Sequence, residues 1–339
     1  MNGSFDALAG DFYAGKRVLV TGGLGFVGSN VAIELARRGA RVTLVDSMIP
    51  AYGANLANIE PVQDCVRVNF SDIRDPHSMA YLVRGQDVIF SLAGQLSHID
   101  SMRDPATDLD INCRSQLTLL ETCRKLQPGV KIVFASTRQL YGRPRYLPVD
   151  EQHPFHPVDV NGINKLAAER YYTLYHDVYG MRTVSLRLTN TYGPRMDLRS
   201  DTKGFMGIFV RKALLKERIS IFGDGRQRRD FNYVDDVVRA LLLAGISESV
   251  NGQSYNLGFP RPYSLQELVE LLQELAAFDY EYVPFPPERK AIDIGDYYAD
   301  ISAYQAATGW QPEVDLRPGL RQTFDFFRQN WDKYLPPRP

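Results

Sequence analysis

Cysteine is scarce in this 339-residue chain: there are three, at 65, 113 and 123, with no paired spacing. Three thiols cannot staple a disulfide scaffold. Without a C-x-x-C pattern they do not read as a metal site, so reduced thiols of a cytoplasmic protein are expected. An excess of either charge is also lacking. Thirty-nine Lys and Arg against 40 Asp and Glu leave a formal charge of −1, which gives no global pull toward nucleic acid or an anionic membrane surface. No apolar run approaches the ~18 residues of a membrane span. The first fifteen residues carry Asp6 and Asp11 and lack a basic start, so they read as a short arm rather than a signal peptide. Repeats and low-complexity tracts are missing too. What remains is an ordinary globular composition, 44% apolar, long enough for a core domain plus a second lobe.

The most informative stretch is KRVLVTGGLGFVG, residues 16–28. Val18-Leu19-Val20 is a short apolar run of the kind found in strands buried on both faces. After Thr21-Gly22-Gly23, the run SNVAIELARRG places apolar residues at helical spacing and stops at Gly39, and Arg41 to Val45 is a second buried strand. Gly22, Gly25 and Gly28 therefore span a strand-to-helix turn. Such a turn needs a residue tolerant of positive φ, a pyrophosphate needs main chain without a Cβ in its way, and the helix N-terminus offers free N–H groups. Asp46 ends the second strand 18 residues after Gly28 (46 − 28), where a carboxylate takes ribose hydroxyls and repels a 2′-phosphate. The cofactor expected is NAD rather than NADP.

Further strands are expected at 65–70, 87–94, 131–137 and 183–188, with helices at 105–127 and 164–179 between them. Strands alternating with helices predict an α/β fold: a Rossmann-type doubly wound parallel sheet whose ligands bind beyond the carboxyl ends of the strands. The loops holding Asp72-Ile73, Leu92-Ala93-Gly94 and Ser136-Thr137 all belong to that edge. After Asn190 the elements shorten, and prolines and aromatics become frequent. A smaller, interleaved α/β substrate-binding lobe is expected over 191–234 and 258–339, beside an NAD-binding domain of 16–190 with returns to the sheet near 235–257. Within the lobe, Ser264 and Glu267 have the spacing of a capping box.

With these residues in view, the chain resembles the extended short-chain dehydrogenase/reductases, specifically the nucleotide-sugar epimerase/dehydratase family. TGGLGFVGSN (21–30), DIRD (72–75), SLAG (91–94), STRQLYG (136–142), NKLAAE (164–169), RLTNTYGP (187–194) and GDGRQRRDFNYVDDV (223–237) carry the likeness. The resemblance implies an enzyme that holds NAD, oxidises a carbon of a nucleotide-diphosphate sugar to a transient keto-sugar, and returns the hydride to the opposite face. Phe26 and Val27 fall in the cofactor turn. Lys165 matches the lysine on the nicotinamide ribose, Thr137 the hydroxyl that holds the reacting sugar oxygen, and Asn112 a structural asparagine of the site. Ser136 falls on the substrate side, and Asn190 and Arg229 match holders of the diphosphate. Arg289 lies where a second diphosphate contact is common. The helices at 105–127 and 164–179 correspond to those of a homodimer interface in relatives.

One departure is central. The family's Tyr-x-x-x-Lys reads Asn161-Gly162-Ile163-Asn164-Lys165 here, so the general base is replaced by an amide, which cannot accept a proton near neutral pH. Tyr141, Tyr192 and His98 are the substitutes available in the sequence, each with a plainer reading as a packing or loop residue. The alternatives are a nucleotide-sugar dehydratase or dehydrogenase, or a protein that binds NAD and nucleotide sugar without turnover. Dehydratases and decarboxylases carry acids where this chain has Arg138 and Gln139. Neither shuttles a proton at neutral pH, which favours epimerisation over elimination.

Overall fold

The computed structural model describes residues 9–49 and 52–336. The first eight residues of the expected N-terminal arm and the last three residues of the chain lie outside them. Seven parallel strands form the central sheet. They are β1 (Arg17–Thr21), β2 (Arg41–Val45), β3 (Val66–Asn69), β4 (Val88–Ser91), β5 (Lys131–Thr137), β6 (Arg182–Leu188) and β7 (Ser254–Asn256), in the spatial order β7-β6-β5-β4-β1-β2-β3. Val18, Leu19 and Val20 are fully buried because helices cover both faces of the sheet. The order reverses between β1 and β4. Connections leave those two strands in opposite directions, which opens a crevice at their carboxyl ends.

One face is covered by α1 (Phe26–Arg37) and by α8, which follows in sequence as Val234–Ile246. Val31, Leu35, Val238 and Leu241 pack there into a single core. The other face carries α2 (Pro76–Leu82), α5 (Ser115–Leu126) and α6 (Val160–Tyr179), whose Met79, Leu119 and Tyr172 close a second core. Phe134 of β5 stacks on Tyr172 with ring centroids 4.5 Å apart. The arm's described part, residues 9–13, is helical, and Tyr13 donates its hydroxyl to Leu242 O at 2.8 Å.

The expected helix at 105–127 is not continuous. α4 (Pro105–Leu109) passes through a π-helical turn at Asp110–Arg114 before α5 begins, and this wide turn carries Asn112. Between β4 and α4, α3 (His98–Arg103) is a short helix capped by Ser97. Helix α6 begins at Val160, four residues before the apolar pattern alone suggests, because the Asp159 side chain accepts Gly162 N and caps it.

A further core gathers Tyr192, Phe209 of α7 (Phe205–Leu215), Ile221, Leu268, Leu320 and Phe324 in the second lobe. There Ile219–Phe222 pairs in parallel with Tyr280–Val283, a strand the sequence pattern did not suggest. The Ser264–Glu267 capping box is formed in both directions. Ile294, Tyr297, Tyr304 and Trp310 instead pack into the core of the sheet domain. Tyr304 donates to Ala240 O at 2.6 Å and Trp310 Nε1 to Asp236 O at 3.0 Å, so this stretch is fastened to α8. A boundary at 258 assigned it to the lobe; its packing places it with the sheet. Among the described residues no helix is long and apolar enough to cross a membrane.

Candidate active site

A cavity of about 350 Å³ runs along the carboxyl edge of the sheet, from the glycine turn to the start of α7. At one end Gly22 has φ +68°, and a Cβ there would sit 2.9 Å from the main chain of Ala93. A Cβ on Gly28 would meet Gly22 O at 2.1 Å, so the helix approaches the turn only because that atom is absent. Gly25, Phe26 and Val27 complete this wall. The N-terminus of α1 has no side-chain cap and no acid in its first turn. Its free N–H groups and partial positive charge therefore suit a phosphate rather than a protein carboxylate.

Asp46 lines the next part of the cavity. Its two oxygens accept Leu24 N and Met48 N, each at 3.0 Å, which fixes the carboxylate in place. Burial raises its pKa, and those two N–H groups offset part of the rise. Asp72 and Ile73 form the opposite lip. The Asp72 carboxylate is held by Arg74 at 2.6 Å, and that bond lowers its pKa. Leu92 N and Ala93 N both donate to Thr21 Oγ1, which sets the loop that carries Gly94. A Cβ on Gly94 would stand 2.9 Å from Asn112 Oδ1 and 3.1 Å from Lys165 Nζ. The glycines, the uncapped helix and the fixed acid together fit a dinucleotide.

The middle of the cavity presents Ser136, Thr137, Asn161 and Lys165. Lys165 Nζ donates to Ala135 O at 3.1 Å and keeps two further N–H donors. Burial lowers its pKa to about 8, with Asp108 partly opposing the shift. Thr137 Oγ1 accepts Gln139 N, which leaves its own hydrogen free to be donated. Asn161 has turned its amide inward: Nδ2 reaches Gln95 O at 2.8 Å and Asp108 Oδ2 at 3.2 Å. Asn112 lies behind the cavity wall with the same two partners, and Asn164 donates to Asp108 Oδ1 at 2.7 Å. Three amides thus converge on one buried carboxylate.

At the far end Asn190 accepts Arg138 Nη2 on Oδ1 and donates to Asp230 O. Ser136 Oγ, Arg138 Nη1, Thr189 Oγ1 and Thr191 Oγ1 are buried without a protein partner, on four residues that all border the cavity. Buried polar atoms are almost always satisfied, so such a cluster calls for ordered water or a polar ligand.

Four expected site residues do not line this cavity: Asn112, which lies behind its wall, and Tyr141, Arg229 and Arg289. Tyr141 is fully buried, its hydroxyl donating to Asn256 Oδ1 at 2.7 Å and accepting from Arg187. Arg229 is turned onto main-chain carbonyls of Arg228 and Gly295 and onto Gln227, so both of its terminal nitrogens are engaged within the protein. Arg289 lies over the Phe222 ring at 5.4 Å. Tyr192, the other tyrosine considered as a base, is buried with its hydroxyl near Asp315 O and Leu316 O. His98 does border the cavity. Arg138, Thr189, Thr191 and Asp108 escape a reading of the sequence. The only signals were the helical spacing of Asp108 and Asn112 and the clustering of Thr189 and Thr191 around Asn190.

A sequence model of the NAD-dependent epimerase/dehydratase family matches residues 18–258. The UDP-glucose 4-epimerase of Mycolicibacterium smegmatis is 31% identical over 92% of this chain and 98% of its own length. The Thermotoga maritima UDP-glucose 4-epimerase, solved with UDP-glucose, superposes with a TM-score of 0.85 at 34% identity, covering 93% of this chain and 99% of that one. The Thermus thermophilus UDP-glucose 4-epimerase, solved with NAD, gives 0.81 at 32% identity, covering 92% and 99%.

Proposed function

The chain belongs to the NAD-dependent epimerase/dehydratase family, and on that footing we propose that it is a nucleotide-sugar epimerase, inverting a hydroxyl-bearing carbon of a nucleoside-diphosphate sugar. The observation that carries the proposal is the continuity of one cavity. It joins the glycine turn and Asp46 to Thr137 and Lys165, and these to the unpartnered polar atoms around Asn190. A dinucleotide held at one end and a diphosphate sugar at the other would meet in the middle. Bound there, NAD supplies a hydride acceptor that later becomes the donor.

The protein's own groups do the rest. Thr137 offers an O–H to the reacting sugar oxygen. Lys165, still largely cationic at neutral pH, holds hydroxyls with its two remaining N–H donors and favours negative charge developing nearby. Ser136, Arg138, Thr189 and Thr191 supply donors for the diphosphate or the sugar. Elimination of water has no acid–base pair to use: Arg138 is bonded to Asn190, and Gln139 Nε2 donates to Asp159 at 2.8 Å.

We place the protein in the cytoplasm, consistent with three free cysteines, two of them buried. We also propose a homodimer built on α6. Its Ile163, Leu174 and Val178 are exposed along one stripe, with Tyr179 and Leu109 of α4 also exposed.

The test is incubation of the purified protein with NAD and a panel of UDP-, dTDP-, CDP- and GDP-sugars, followed by proton NMR of the sugar ring. Interconversion of two epimers of at least one member is expected. A panel left wholly unchanged overturns the proposal.

A further inference from the structure

Oxidising a sugar hydroxyl requires a base, and Asn161 is not one. Of the three side chains available in its place, Tyr141 and Tyr192 are sealed in packing, and His98 alone borders the cavity. The surroundings of His98 are those of an oriented base. Its Nδ1 stands 3.0 Å from Asp159 Oδ2, whose side chain is fully buried while that of His98 is 34% exposed. Nδ1 is buried and, although 3.0 Å from Asp159 Oδ2, makes no hydrogen bond of regular geometry, so the pair is a close charge contact, while the ring borders the cavity.

Asp159 is held rigidly. It accepts Gly162 N at 2.7 Å as the cap of α6 and Gln139 Nε2 at 2.8 Å. Burial acts to raise its pKa, but the imidazole and these donors outweigh it and keep the carboxyl below its ordinary range. Gln139 N in turn donates to Thr137 Oγ1, so the His–Asp pair and the hydroxyl placed at the sugar share one scaffold. A second clasp joins α3 to the same turn of α6, where Asn161 N donates to Ser101 Oγ at 3.3 Å. His98 therefore stands beside the turn from which a side chain at 161 projects.

Resting on the epimerase reading above, we propose that His98 Nε2, oriented by Asp159, is the proton acceptor that replaces the missing tyrosine. A carboxylate that takes the Nδ1–H leaves the Nε2 lone pair toward the substrate and stabilises the imidazolium that forms. In the forward step the sugar O–H bond breaks and its proton goes to Nε2. The O–H electron pair becomes the second C–O bond as the hydride leaves the carbon, with its electrons, for the nicotinamide of NAD. After the keto-sugar turns, the hydride re-forms C–H on the other face and Nε2 returns its proton to the oxygen. Nothing is consumed. Asp159 touches no substrate and is a positioning residue.

The test compares wild type, His98→Gln, His98→Ala and Asp159→Asn on whichever sugar nucleotide the wild type interconverts, with UDP-glucose tried first. Calorimetry should show NAD and UDP binding within about threefold of wild type for both His98 variants, while turnover falls ~10²–10⁴-fold, the span of a lost general base. Added imidazole should restore part of the rate to His98→Ala and none to His98→Gln, whose side chain still fills the site; a purely structural histidine would not give that split. Asp159→Asn should fall too, without imidazole rescue. If both His98 variants turn over within about threefold of wild type, or His98→Ala loses activity together with binding and ignores imidazole, this proposal is overturned and the epimerase reading stands. A wild type inert on every sugar nucleotide overturns the epimerase reading instead, and this proposal with it.

Discussion

Asn161 Nδ2 lies 3.2 Å from Asp108 Oδ2, the same oxygen that accepts Asn112 Nδ2 at 3.0 Å. Asn161 is thus committed to a buried carboxylate and to Gln95 O. Asn161→Ala strips one donor from each acceptor. A loss of ~1–3 kcal/mol is expected, read as a lower midpoint in chemical denaturation. Asn161→Asp, which sets a second carboxylate against Asp108, should cost more. Equal stability of all three proteins would contradict the network.

Lys165 gives opposite pH signatures for stability and activity. Burial lowers its pKa from 10.5 to about 8, so between these values the unfolded chain holds a proton that the folded chain has released. Unfolding free energy contributed by this group therefore rises with pH across that window. The cation proposed to act at the sugar disappears over the same range, so kcat/KM should fall as pH passes about 8. Lys165→Met should lose both trends, which paired melting and rate profiles would reveal.

Asp46 is expected to set the choice of cofactor through its charge. Asp46→Asn keeps an acceptor for Leu24 N or Met48 N but removes the repulsion toward a 2′-phosphate. The preference for NAD over NADP should narrow by about tenfold, equivalent to ~1.4 kcal/mol, in calorimetric titrations of cofactor-free protein. An unchanged ratio would move the source of selectivity elsewhere.

Behind the site, Glu169 and Arg187 form a buried ion pair at 2.6 Å, their side chains 1% and 4% exposed. Glu169→Gln leaves the guanidinium buried beside Tyr141 without a counter-charge, and ~3–5 kcal/mol of stability should be lost. Replacing both, as Glu169→Leu with Arg187→Met, should recover much of that in urea unfolding, since no orphan charge then remains.

The cofactor half of the site was legible because its determinants are local. Gly22, Gly25, Gly28 and Asp46 lie within one β-α-β unit, and their spacing alone dictates a turn, an uncapped helix end and a nearby acid. The capping box at Ser264 and Glu267 was legible for the same reason. The sugar end was less so. Arg229 looked like a diphosphate ligand by its motif, yet carbonyls of Arg228 and Gly295 take its donors, and the second of these is 66 residues distant in the chain. Arg138, set aside as unable to move a proton, proves to border the cavity with a free Nη1.

The amino-acid order by itself determined the doubly wound sheet, the dinucleotide turn, and the fact that position 161 cannot serve as a base. Which of the candidate groups borders the cavity was decided by folding alone. Tyr141, Tyr192 and His98 were all candidates on paper. Burial removed the two tyrosines, while the cap of α6 brought Asp159 to His98 across 61 residues of chain (159 − 98). Proton transfer depends on contact and exposure, and those are properties of packed surfaces rather than of spacing along a chain.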